Sequence, residues 1–346
     1  MSFSLVDRRR RALLAALPAA VFALPVRAAR VPPGGAVRLA VGGQAGLYYL
    51  PLTVAQALGY FDGAGLQLQI QDYAGGALAQ QAVREGRADL CCSAFDHVLG
   101  ERLAGRPARS LVLFARASQL ALAASRRSWP SGDPRRVKRL RIGVTAPGSA
   151  SEMFARRWLT NAGVDVETVR FVGLGQGVQA LSALRQGAVH ALSHTDPVLT
   201  LLERRGEVRL LADARTLAAS QALYGGTMPG GCLWAPQAFI ERRSAQAQAL
   251  VQAMVRALLW LQTASAADLV QVVPPAFLLG QRSSYLAAFE RLRQTFSPDG
   301  LMPVDAPATA LRAHTLLQPA LAAARVDLSQ SFGNAMAQRA LQQLRV

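Results

Sequence analysis

Lysine is nearly missing from this sequence: Lys138 is the only one among 346 residues, although Lys and Arg together number 38. A cofactor held as a Schiff base therefore has one candidate anchor, in the breaker-rich region opened by SRRSWPSGDPRR (Ser125–Arg136), a poor place for it. Histidine is scarce as well, with four residues. His190 and His194 are four apart, but AVHALSH reads as a strand and no third ligand accompanies them, so a zinc site is not expected. His190 is read as structural and His194 as reaching the mouth of a cleft. Asp96 and His97 follow Ser93 closely, without a GxSxG elbow or a third triad member. The loop GLGQG (Gly173–Gly177) is not a GxGxxG dinucleotide fingerprint. Together these gaps argue against an enzyme, and no cofactor is expected.

Cysteine is limited to Cys91, Cys92 and Cys232. Neighbours on a strand point to opposite faces, so Cys91 and Cys92 are not expected to bridge each other. In an oxidising compartment one of them can bond Cys232, with Cys92–Cys232 the pair singled out; three buried thiols is an equally open reading.

Acid is short too: 21 Asp and Glu leave a net charge of +17. The excess is almost all Arg and is spread along the chain, which reads as composition bias. Nucleic acid is not expected as a partner. Five arginines (8, 9, 10, 11 and 27) and Asp7 contribute +4 of that charge within residues 1–28. There a basic block precedes a short apolar run, Ala12–Pro25, and Val26-Arg27-Ala28 offers small residues for cleavage near Ala28. This is the pattern of an export signal similar to the twin-arginine (Tat) type, too short to span a bilayer. No later run is apolar enough to cross one. A soluble protein outside the cytoplasm is expected.

The rest of the chain alternates strand-like and helix-like segments. Strands are read at 37–41, 66–73, 88–94, 111–117, 140–144, 169–172, 189–193 and 208–212, with helical patterns between them. Such βαβα order implies parallel sheets covered on both faces. A breaker-rich crossing near Ser125 and a change of composition at Gly225 divide the chain. The α/β reading is two Rossmann-like lobes: 36–124 with 225–346, and 125–224. A lone strand at Gly231–Trp234 and a helical tail return to the first lobe.

Ligands in open α/β sheets bind where strands end and helices begin. IGVTAPGSASE (Ile142–Glu152) is the strongest such stretch, since six small residues precede the helix. Ser149 or Ser151 can cap it, Glu152 favours its first turn, and Ser149, Ala150 and Ser151 can approach a polar or anionic group. GLGQG, with Gly175, is a second close-approach loop. Thr195-Asp196-Pro197 is cap-like, and Asp196 is read as a cleft carboxylate for an amine or hydroxyl; that reading argues against a simple inorganic anion as ligand. Tyr48 and Tyr49 open a helix, either facing the cleft or split between core and surface.

GLYYLPLTVAQALGYFDGAGLQLQI, GGALAQQAVREGRADLCCSAFD, LRIGVTAPGSASEMF, LSALRQGAVHALSHTDPVLTLLERRGEVRLLADART and VVPPAFLLGQ, in order, resemble the nitrate/sulfonate/taurine-type substrate-binding proteins of ABC importers, a family that includes binders of thiamin-precursor pyrimidines. The resemblance implies a type II periplasmic binding protein fold, with two lobes joined by a two-segment hinge. It implies a monomeric periplasmic receptor for a small sulfonate or pyrimidine-like solute, served by an inner-membrane ABC permease and its ATPase; the Asp196 reading adds a zwitterion as a fitting ligand. Carried over by position, its ligand-facing residues fall on Tyr48, Tyr49, Gly75, Gly76, Ser93, Ser149, Ala150, Ser151, Gly175, Thr195 and Asp196. Phe95-Asp96-His97 departs from the small residues and proline commoner there. The alternatives are an enzyme on this fold, similar to thiamin-pyrimidine synthases, and a ligand-occupancy sensor for a membrane receptor.

Overall fold

The computed structural model describes residues 35–137, 139–317 and 326–344. The export-signal reading at 1–28 and the Lys138 position lie outside them. The first lobe starts as β1 (Val37–Val41), α1 (Leu50–Ala57), α2 (Tyr60–Gly63), β2 (Leu68–Asp72), α3 (Gly76–Arg84), β3 (Leu90–Ala94), α4 (Phe95–Leu103) and β4 (Ala108–Leu113). The chain then crosses and builds β5 (Ala121–Ser125), β6 (Arg141–Val144), α5 (Ala150–Asn161), β7 (Arg170–Gly173), α6 (Val178–Arg185), β8 (Ala191–His194), α7 (Val198–Arg204), β9 (Val208–Asp213) and α8 (Leu217–Tyr224). It returns with β10 (Gly231–Pro236), followed by α9 (Gln237–Arg242), α10 (Ser244–Thr263), α11 (Ala266–Val272), α12 (Arg282–Leu292), α13 (Ala306–Leu317) and α14 (Ala335–Leu344).

Two five-stranded sheets result, ordered β2-β1-β3-β10-β4 and β7-β6-β8-β5-β9. In each, one strand is antiparallel to both neighbours: β10 between β3 and β4, and β5 between β8 and β9. Each crossing thus inserts the next strand into the sheet it enters. This mixed α/β architecture is the two-lobed periplasmic binding protein fold.

Burial follows strand position. β3, with neighbours on both sides, is buried at every residue, whereas the edge strand β2 has no fully buried residue. Apolar clusters cover both faces of each sheet, as parallel pairing requires. The helical tail packs mainly on lobe one. Two of its helices reach further: α12 packs on α7 of lobe two, and α13 lies against both α4 and α5.

Two expectations need correction here. The segment Ala121–Ser125, read as the end of lobe one, is β5 of the second sheet, so the first crossing lies at 114–120 rather than near Ser125. The breaker-rich stretch is a connection inside lobe two. The second correction concerns sulfur: Cys91, Cys92 and Cys232 are all free and buried. Cys232 is paired in register with Ser93, and Cys92 with Leu233. Cys92 therefore packs in the core on one face of the sheet, while Cys91 and Cys232 pack on the other. A Cys92–Cys232 bond would have to pass through the sheet.

Candidate functional site

The carboxyl ends of β1, β3, β6 and β8 all open into one gap between the lobes. Its walls come very close. A Cβ added to Gly42 would lie 2.4 Å from the Gly76 amide nitrogen, so the loop after β1 can rest on the start of α3 only as glycine. A Cβ on Gly75 would lie 2.7 Å from the Ala146 Cβ and 2.9 Å from the Ser149 Oγ, across the lobe boundary. Gly75 is the N-cap of α3, and its φ of −165° is open to any residue; close approach, not backbone conformation, demands glycine here.

The start of α5 explains the small-residue run. Ser149 occupies the N-cap position but makes no side-chain cap to its own helix. Its Oγ instead accepts the Ala77 amide of α3, in the other lobe, at 3.0 Å. Capping passes to Glu152, whose Oε2 accepts the Gly148 amide at 2.9 Å while Oε1 holds Arg156. Ser151 Oγ turns back to accept the Thr145 amide at 3.0 Å. The N-termini of two helices from different lobes thus converge, each with a partial positive charge at its start. Other contacts also close the gap: the Leu47 amide donates to the Asp196 carbonyl at 2.9 Å, and Arg291 of α12 pairs with Glu203 of α7 at 2.8 Å.

The gap has two chambers. The first is lined by Gly42, Tyr49, Gly76, His97, Thr145, Ser149, Ser151, Gln176 and Thr195. The second is lined by Asp96, Ser118, Met153, Arg157, Tyr224, Met228 and His314, among others. Tyr48, Ala94, Leu120 and Ala150 line both and form the waist between them. With the lobes in contact the chambers measure about 20 and 40 Å³. That is room for about one to three waters, less than a solute of several heavy atoms needs, so such a solute enters when the lobes part.

Of the residues expected from the sequence, Tyr48, Tyr49, Gly76, Ser149, Ala150, Ser151 and Thr195 line the first chamber. The two tyrosines are both buried, in an edge-to-face pair with centroids 5.0 Å apart, so neither is a surface ring. Burial, reinforced by Tyr49 and Asp96, raises the Tyr48 phenol well above its ordinary pKa, so it remains a protonated donor.

Four residues stand elsewhere. Gly75 acts as the contact described above. The Gly175 carbonyl accepts from His194 Nε2 at 2.8 Å. Ser93 lies one layer back: its Oγ accepts the Trp234 indole N–H at 2.7 Å and sits 2.9 Å from His97 Nδ1. Asp196 is no cleft carboxylate. It is fully buried, its Oδ1 accepts the Thr200 amide at 2.8 Å, and Arg215, itself 0% exposed, pairs with it at 3.3 Å. Arg215 also binds Asp213 and Glu203, both at 2.8 Å, so the guanidinium neutralises the carboxylate inside lobe two. The argument against an inorganic anion that rested on Asp196 falls with it. His194 likewise does not reach the cleft: it is fully buried between two carbonyls, and burial lowers its pKa.

Sequence reasoning missed Gln176, Arg157, Tyr224 and His314, and passed over Asp96 and His97. The Asp96-His97 pair at a strand end was a usable signal. His314, on the distant helix α13, offered none.

The family described as NMT1/THI5 like matches residues 47–264. A solved structure of a protein from Bordetella bronchiseptica RB50 is 40% identical, with a TM-score of 0.88, covering 90% of this chain and 99% of that one. The alkanesulfonate-binding protein SsuA from Xanthomonas axonopodis pv. citri, solved bound to MOPS, is 18% identical with a TM-score of 0.63, covering 89% and 98%. The periplasmic nitrate-binding protein NrtA from Synechocystis PCC 6803 is 14% identical with a TM-score of 0.65, covering 91% and 90%. At these two lower identities the likeness is one of fold. Among curated proteins nothing matches the sequence.

Proposed function

The chain belongs to the NMT1/THI5-like family, and from that premise we propose that it is a periplasmic solute receptor of an ABC importer. It closes two lobes on a small organic solute and delivers it to an inner-membrane permease coupled to an ATPase. The observation that carries this reading is the meeting of the α3 and α5 N-termini across the lobe boundary, with the Ser149 hydroxyl joining them. Peptide N–H groups, Thr145, Ser151 and Thr195 suit an oxyanion there, as in a sulfonate or a carboxylate. The two crossings at 114–120 and 225–230 act as the hinge, since few other segments connect the sheets. Export rests on the sequence of residues 1–28, and the receptor acts as a monomer.

The resemblance to binding proteins for alkanesulfonate and nitrate supports the class of ligand. The test is thermal shift and calorimetry of purified protein against small sulfonates, carboxylates and pyrimidines, joined to mass spectrometry of co-purified compounds. A ligand at a hundred times its Kd adds about 2.7 kcal/mol of stability. If nothing co-purifies and no compound stabilises the protein, the receptor reading is wrong.

A further inference from the structure

The second chamber contains polar groups that the oxyanion reading does not use. Asp96, in the first turn of α4, has a buried Oδ1 with no hydrogen-bond partner among the described residues. Among the described residues no basic group lies within salt-bridge distance of it. His314, from α13, has both ring nitrogens buried and without a partner among the described residues. Both residues line the second chamber and the groove outside it. A buried carboxylate oxygen without a partner is costly, and so is an unpaired imidazole, so these atoms call for a partner inside the chamber, from solvent or from a bound molecule.

The first chamber has an independent marker. His97 is 6% exposed, its Nδ1 is taken by Ser93, and its Nε2 is buried without a partner among the described residues. Its ring lies against the start of α3: a Cβ on Gly76 would come within 2.6 Å of His97 Cε1. The waist between the chambers presents the Tyr48 ring, Ala94, Leu120 and Ala150.

We propose that the second chamber is an ammonium-reading subsite, in which Asp96 and His314 take the N–H-bearing end of a solute whose oxyanion lies in the first chamber. The apolar waist then holds a short methylene linker, and the ligand class is an α,ω-zwitterion with its charges at opposite ends. The inference builds on the receptor function above and specifies the solute. Electrostatics agree with it. Burial lowers the His314 pKa, leaving a neutral imidazole with one donor and one acceptor nitrogen. Burial chiefly, with a contribution from Asp96, pushes the Tyr224 phenol up to about 12. Among the described residues Asp96 is then the one anionic group facing this chamber; Arg157, whose guanidinium lies over the Tyr224 ring at 5.0 Å, donates one Nη to the Leu223 carbonyl, and its Nε is buried without a partner among those residues.

The experiment measures Kd by calorimetry for matched pairs: taurine against ethanesulfonate, and 4-aminobutyrate against butyrate. The amino member of a pair is expected to bind about tenfold tighter or better, because a charge-assisted hydrogen bond is gained. Asp96→Asn should erase that preference, so that the amino and non-amino members of each pair bind within about twofold of one another. His314→Gln, on a different helix, should reduce it independently, so a folding defect in one variant does not decide the result. If ethanesulfonate or butyrate binds as tightly as its amino partner, or the preference survives Asp96→Asn, the ammonium subsite is wrong and the receptor stands. If no probe binds and the co-purified compound lacks a basic nitrogen, the outcome is the same. If no small molecule binds by any measure, both fall.

Discussion

Ser149 of lobe two accepts a hydrogen bond from the Ala77 amide of lobe one at 3.0 Å, in place of capping its own helix. A bond across the boundary exists only when the lobes meet. Ser149→Ala removes it at a net cost of about 0.5–1.5 kcal/mol to the closed form. Ligand affinity should fall by roughly two- to tenfold in calorimetry, with the melting temperature of the protein alone little changed. Unchanged affinity for a confirmed ligand would remove Ser149 from the site.

Gly75→Ala tests closure directly. The new methyl would stand 2.7 Å from the Ala146 Cβ and 2.9 Å from the Ala146 amide nitrogen, while φ at this position tolerates alanine. Lobe one should fold normally and the lobes should fail to meet. Small-angle scattering is expected to show a larger radius of gyration than wild type, and ligand affinity should drop at least tenfold. A compact Gly75→Ala protein would mean that the neighbours yield.

Arg215 is the keystone of lobe two. Replacing it by Met leaves the fully buried Asp196 carboxylate without its counter-charge. Loss of one partner of a buried pair costs about 3–5 kcal/mol, which predicts a melting temperature lower by roughly 6–20 °C. Asp196→Asn should cost less, because Arg215 keeps Asp213 and Glu203. Calorimetric melting of both variants decides the order.

Acid should weaken the fold through buried histidines, His194 and His190 among them. Burial lowers the pKa of His194, and burial with the nearby Arg141 lowers that of His190, whose Nδ1 accepts the Arg141 amide. A depressed folded pKa means stability that is present above the ordinary value of 6.5 and lost as pH falls below it. Urea unfolding at pH 7.5, 6.5 and 5.5 should show declining stability, and His194→Gln should flatten part of that decline. A flat profile in wild type would contradict the burial of both rings.

The three thiols should be silent in the native protein. All are buried, and burial pushes the Cys91 pKa up to about 12, leaving almost no thiolate at neutral pH. A thiol reagent is expected to titrate none of them quickly before denaturation and all three after it. An intact-mass deficit of two hydrogens would reveal a disulfide and overturn the sheet-face argument for Cys92 and Cys232.

Much of the fold could be read from local pattern. The alternation of LQLQIQDY marked a half-buried strand, and the apolar run before Thr145 marked a strand ending in small residues. Ser149, Ser151 and Thr195 could be placed at the cleft because loops at strand ends face it in any open parallel sheet. β5 was illegible: Ala121–Ser125 has no period of its own and becomes a strand by pairing with β8 and β9, far along the chain. Asp196 was misplaced for a related reason. Its loop does lie at a strand end, but Arg215, 19 residues on, captures the side chain.

Two α/β halves, their close-approach loops and the small residues at the start of α5 are set by local pattern, because periodicity and turn chemistry act over a few residues. The face each cysteine occupies, the hydroxyl that bridges the lobes, and the placing of His314 from the tail beside Asp96 from lobe one are set by the folded arrangement. Those outcomes depend on register and on side chains from distant segments competing for the same partner, and no local pattern encodes that competition.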